Sequence, residues 1–130
     1  MDDDEPAELD YCYITTTGRR SGSPHTIEIW FALHDDRVYV LSGGGEGSDW
    51  VRNLTANPTV ALRLGDRDML CRAAPVEDPE EDELARRLVF EKYRRRYSGD
   101  LEEWRARALP IVIELPSGPE DGPTERSDPG

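Results

Sequence analysis

YCYITTTGRRSGSPHTIEIWFALHDDRVYVLS, residues 11 to 42, carries three strand signals separated by two turns. The first, residues 11–17, is β-branched and aromatic and stops at a turn punctuated by Gly18, Gly22 and Pro24. The second, residues 25–34, alternates Ile27, Ile29, Phe31 and Leu33 on one face with Glu28 and Trp30 on the other. A tight turn at Asp35 and Asp36 then leads into residues 37–42, the hairpin partner. Strands joined by turns this short are antiparallel neighbours, so the stretch predicts three strands of one sheet.

Working outward, the glycine run at 43–47 leads to a short helix with Ser48 as N-cap. Trp50, Val51 and Leu54 mark its buried face, and Pro58 stops it. Residues 59–64 and 69–77 read as a second hairpin across GDRD. DPEEDELARRLVFEKYRRRY predicts the longest helix, with Asp78 as N-cap, Pro79 at the first position and Glu81 at capping-box spacing. Its acidic first turn and its end at Arg94, Arg95 and Arg96 suit the helix dipole, and Leu84, Leu88 and Val89 read as the apolar seam. A short helical piece, DLEEWRARA, precedes a sixth, buried strand at 109–116. Six antiparallel strands with helices in two connections predict a mainly β (α+β) fold, a small barrel whose openings the helices cover, because closure removes exposed sheet edges.

The chain has 130 residues, enough for one domain with its own core, and 36% hydrophobic against 34% charged residues. Its net charge of -12 is concentrated at the ends: residues 1–10 hold six acids and no base, and residues 116–130 hold four acids and one arginine. Between them stand 18 acids and 15 bases, a nearly balanced body. The expected organisation is therefore an acidic disordered tail at 1–10, a folded unit at 11–116 and a second disordered tail at 117–130. An acidic balance argues against nucleic acid, which requires a basic face. The acidic start is unlike a signal peptide and no apolar run reaches the ~20 residues of a membrane helix, so the expectation is a soluble, cytoplasmic protein. Cys12 and Cys71 lie in apolar strand-like runs and read as buried thiols, with a disulfide between neighbouring strands left open.

Neither a nucleophile triad nor a metal-ligand spacing is present: His25 and His34 sit at opposite ends of one predicted strand, and no CxxC or HExxH occurs. SGGGEGSDW lacks the lysine and hydroxyl of a P-loop, yet it is a glycine run entering a helix, where free amides and the dipole form an anion cradle. Arg19 and Arg20 stand on the neighbouring turn. If both loops share a rim, guanidinium groups and amides together could hold a phosphate or carboxylates, with Trp30 and Trp50 as an apolar wall.

ITTTGRRSGSPHTIEIWFALHDDRVYVLSGGG, followed by W..NL.ANP and LPIVIELP, resembles the deazaflavin-dependent nitroreductase family of split-barrel flavin-fold proteins. The resemblance runs from about residue 13 to residue 116. It implies a six-stranded antiparallel split β-barrel of the FMN-binding type, with two or three helices, that binds coenzyme F420. The implied activity is that of an F420-dependent reductase, an oxidoreductase that passes a hydride to a quinone, enone or nitro compound. By resemblance Arg19, Arg20, Ser21 and His25 hold the phosphate-bearing tail, with His25 standing where an arginine is common. Ser42, Gly43, Gly44 and Gly45 line the deazaflavin, and Trp30, Trp50 and Asn53 lie beside it. Tyr97, Tyr93 and Ser42 are candidates for delivering a proton. FMN as the cofactor, as in pyridoxamine phosphate oxidases, and a non-catalytic coenzyme-binding module are the alternatives, and monomer and homodimer both remain open.

Overall fold

The computed structural model describes residues 9–94 and 101–116; Arg95, Arg96 and Tyr97 lie outside the described residues. Among the described residues there are seven strands: β1 Cys12–Thr17, β2 Pro24–Ile29, β3 Ala32–His34, β4 Arg37–Ser42, β5 Thr59–Leu64, β6 Arg67–Pro75 and β7 Leu109–Glu114. Three α-helices join them, α1 Asp49–Ala56, α2 Pro79–Tyr93 and α3 Glu102–Arg107, with a 3-10 turn at Gly45–Gly47. The strands form one antiparallel sheet in the order β2-β1-β5-β6-β7-β4-β3. Its two edge strands, β2 and β3, are consecutive in sequence and only Trp30 and Phe31 separate them. A sheet whose opposite edges are two residues apart must curl back on itself, which rolls it into a barrel that is split between β2 and β3, since among the described residues no ladder joins them.

The predicted strand at 25–34 is therefore two strands, and the count rises from six to seven. The break has a physical cause. The Phe31 N–H donates to the Tyr93 hydroxyl at 3.1 Å, and the Phe31 carbonyl accepts from Lys92 Nζ at 2.9 Å. Side chains of α2 thus satisfy backbone groups that leave the ladder where the strand crosses from one sheet edge to the other. The Tyr93 hydroxyl also donates to the Asp10 carbonyl at 2.6 Å, which ties the approach to β1 to the same point.

The barrel interior is filled by the inward residues of alternating strands, Ile14, Val38, Val40, Leu62, Ile111 and Ile113. Val51 and Leu54 of α1 plug one opening, as the sequence predicts. A second apolar cluster lies outside the sheet, where Tyr39 and Leu41 of β4 meet Ala85, Val89, Phe90 and Tyr93 of α2. The buried stripe of α2 is thus Ala85, Val89 and Tyr93, rotated from the predicted Leu84, Leu88 and Val89, since Leu84 and Leu88 are only half-buried. Asp78 caps α2 by accepting from the Glu81 N–H at 2.9 Å. Glu81 does not return the bond: its carboxylate is taken by Arg37 at 2.5 Å and the Tyr39 hydroxyl at 2.8 Å, which pins the start of α2 to β4.

Cys12 and Cys71 are both free and buried. They face the same core on either side of β5 but at different levels, since Tyr13 pairs with Arg63 while Cys71 pairs with Val60. Burial pushes the Cys12 thiol up to about 12 and the Cys71 thiol up to about 11. Among the described residues no helix is long and apolar enough to cross a membrane.

Candidate functional site

The turn between β1 and β2 is built around Gly18. Its N–H donates to the Ser23 carbonyl at 2.8 Å, its carbonyl accepts from the Gly22 N–H at 2.9 Å, and Gly22 takes the left-handed φ of 74°. A β-carbon at Gly18 would lie 2.6 Å from Ser21 Oγ and 3.0 Å from His25 Nε2, so glycine is what lets Ser21 and His25 converge over the backbone. Ser21 Oγ accepts from the Ser23 N–H at 3.1 Å and braces the turn.

Arg19 leaves this turn toward α1. Asn53, 3% exposed, accepts at its Oδ1 from both the Arg19 backbone N–H at 3.2 Å and Nη1 at 2.9 Å. The Asn53 amide in turn donates to the buried Thr16 hydroxyl of β1 at 3.3 Å. One buried amide therefore docks the helix onto the strand and aims the guanidinium. From outside, Asp49 reaches Arg19 Nη2 at 3.4 Å. Arg20 is exposed and has no hydrogen-bond or ion-pair partner among the described residues.

Between the turn and α1 opens a cleft of about 520 Å³ lined by Gly18, Arg19, Arg20, Ser21, His25, Thr26, Ile27, Asp49, Trp50 and Asn53. Six residues that the sequence singles out, Arg19, Arg20, Ser21, His25, Trp50 and Asn53, thus meet in one concavity, with the half-buried Trp50 as an apolar wall. Gly18, which the sequence marks only as a turn residue, joins them, and Thr26 and Asp49 are lining residues that the sequence does not single out. An aspartate in a first helical turn is ordinary dipole chemistry, and only the fold shows that it faces an arginine.

The glycine loop borders the cleft without lining it. Ser42, 1% exposed, donates to the Gly45 carbonyl at 3.2 Å and lies 3.2 Å from Ser48 Oγ. Ser48 occupies the N-cap position of α1, but its hydroxyl turns to Ser42 and Gly44 instead of capping. Gly45 takes a φ of 64° as the loop enters the 3-10 turn. Residues 48 and 49 thereby join the glycine loop to the arginine turn, since Ser48 touches Ser42 and its neighbour Asp49 touches Arg19. Gly43 opens toward a separate aromatic group: a β-carbon there would lie 3.8 Å from the Trp104 indole nitrogen. Trp30 stacks flat on Tyr93 at 4.3 Å and stands perpendicular to Trp104 at 5.5 Å, so it belongs to this group and not to the cleft wall. Of the three candidate proton donors, the Tyr93 hydroxyl is turned to the backbone of Asp10 and Phe31, the Ser42 hydroxyl is turned to its own loop, and Tyr97 lies outside the described residues.

A model of the F420H(2)-dependent quinone reductase family matches residues 6–116. The chain belongs to that family. An F420H(2)-dependent quinone reductase of Mycobacterium tuberculosis is 31% identical over 105 residues, which cover 77% of this chain and 69% of the relative. Among solved structures, an F420-H2 dependent reductase, FDR-A, superposes with a TM-score of 0.66 at 22% identity, covering 81% of this chain and 94% of that one. A structure described as a domain-swapped dimer gives 0.66 at 24% identity and covers 81% and 80%. At these identities the structural likeness establishes the fold alone, an antiparallel split barrel.

Proposed function

We propose that this protein uses reduced F420 to reduce a quinone-type small molecule, with the cleft between the β1–β2 turn and α1 as the seat of the coenzyme's anionic tail. The observation that carries this placement is the convergence in that cleft of Arg19, Arg20, Ser21 and His25 beside Trp50 and Asn53. These residues fit a polyanion: Arg19 is aimed by a buried amide, Arg20 is an exposed cation with no described partner, and the body around them is close to neutral.

A bound deazaflavin supplies the hydride and resists one-electron leakage to oxygen. The chain's own work is to position and to exclude. Arg19 and Arg20 bind the tail, Ser21 and His25 complete the turn, and the Trp50 ring gives an apolar surface along the cleft. Gly43 of the glycine loop stands beside the Trp104 indole, and this side of the loop is our placement for a planar acceptor. Quinone is the favoured acceptor because of the family match, with enones and nitro compounds as comparisons. We take residues 11–116 as the coenzyme-binding unit.

Titration with F420, followed by tryptophan fluorescence, is the direct test. Saturable quenching is expected, weakened at least about tenfold in Arg19→Ala, as the loss of a charge-assisted contact predicts. Reduced F420 should then be oxidised on addition of a naphthoquinone. Absence of quenching, or an Arg19→Ala Arg20→Ala double variant that binds like the wild type, overturns the reading.

A further inference from the structure

We propose that Asp49 is a specificity-determining residue of the cleft, a built-in counter-ion that competes with the ligand's anion for Arg19. The inference rests on the assignment of the cleft as a tail site and deepens it. Arg19 is held in two unequal ways. On its inner side Asn53 accepts two bonds, at 3.2 and 2.9 Å, from a position that is 3% exposed. On its outer side Asp49 makes one contact of 3.4 Å with a carboxylate that is 84% exposed. The inner contact fixes where the guanidinium sits; the outer one is long, monodentate and open to exchange with any anion entering the cleft.

Asp49 is also the only carboxylate among the residues lining the cleft. It stands at the first residue of α1, where the helix dipole and free amides would otherwise attract a ligand's negative charge. Its charge opposes a bound anion twice, by occupying Arg19 Nη2 and by like-charge repulsion after displacement. A tail that brings several anionic groups engages Arg19 and Arg20 together and overcomes one exposed carboxylate, whereas a ligand with a single anionic group gains little by replacing it. Asp49 therefore favours a polyanionic tail over a single anion at Arg19 and lowers the affinity for that tail as well, keeping the coenzyme exchangeable.

The test uses the full chain, wild type and Asp49→Asn, with three probes: F420, its tailless deazaflavin core, and inorganic phosphate. Asp49→Asn should bind F420 about fivefold more tightly at low ionic strength, the scale of one exposed charge pair, with the gain fading at high salt. The tailless core should bind both proteins equally. Phosphate should raise the thermal midpoint of Asp49→Asn more than that of the wild type. Equal or weaker F420 binding by Asp49→Asn overturns the competition and makes Asp49 a positioning group for Arg19. Should the wild type bind no F420, the proposed function fails, and the phosphate comparison still decides the role of Asp49: equal midpoint shifts in the two proteins refute it.

Discussion

Asn53 is the residue on which the site's geometry turns. Its carbonyl oxygen receives two donors from Arg19 and its amide serves Thr16, so three bonds depend on one side chain buried to 3% exposure. Asn53→Ala leaves the Thr16 hydroxyl and the Arg19 amide without those partners, a cost of about 2–3 kcal/mol in stability. It also frees the Arg19 side chain, whose rotamer entropy must then be lost on binding. We expect F420 affinity to drop about tenfold with the fold retained, measured by fluorescence titration beside a urea melt. Unchanged affinity in a destabilised variant would mean that Asn53 only docks the helix. The types of residue in this site were readable in sequence, because guanidinium groups, a turn glycine and a helix-start tryptophan advertise their chemistry. Their pairings were not, because Asn53 lies 34 positions from its partner Arg19 and nothing in a polar helix face says which strand it will meet.

At the scale of elements, the break between β2 and β3 decides the architecture. The alternation Ile27, Ile29, Phe31, Leu33 passes through it without a flaw, and so the sequence reads as one strand. What interrupts it is distant: the Tyr93 hydroxyl and Lys92, some sixty residues on, take the Phe31 backbone out of the ladder. Hydrophobic period reports which face is buried, not which neighbour a strand pairs with, and here one continuous period serves two opposite sheet edges. The same limit explains Glu81, whose spacing suggests a capping box while its carboxylate serves Arg37 and Tyr39 of β4. Tyr93→Phe keeps the ring stacked on Trp30 and removes only the hydroxyl. The buried Phe31 N–H then loses its acceptor, at about 1–3 kcal/mol, and a fall of roughly 10 °C in thermal midpoint is expected for a domain of this size. A melt within a degree or two of the wild type would show that Lys92 alone secures the closure.

For the molecule as a whole, the barrel interior must stay uncharged, and this makes stability depend on pH in the alkaline range. Cys12 and Cys71 both face that interior, and burial lifts their thiols from an ordinary 9.0 to about 12 and about 11. Nearby Lys92 pulls the Cys12 value down without offsetting the burial. The folded chain therefore keeps protons that the unfolded chain releases above pH 9. The unfolded state binds fewer protons there, so stability falls as pH rises. Below about pH 8 both states hold the thiol protons and these groups contribute no slope. Between pH 9 and pH 10 each thiol removes about 1 kcal/mol, and Cys71 levels off near pH 11 while Cys12 continues toward pH 12. Urea unfolding at pH 8, 9 and 10 should show this loss in the wild type and about half of it in Cys12→Ala. The comparison rests on the slope with pH, because the substitution also shifts the absolute stability by leaving a small void. The same burial predicts that neither thiol reacts with an aromatic disulfide reagent at pH 8 until the barrel opens, since the thiolate is the attacking species. Rapid labelling of Cys12 in the native protein, or a Cys12→Ala slope equal to that of the wild type, would show that water reaches the β1 end of the core.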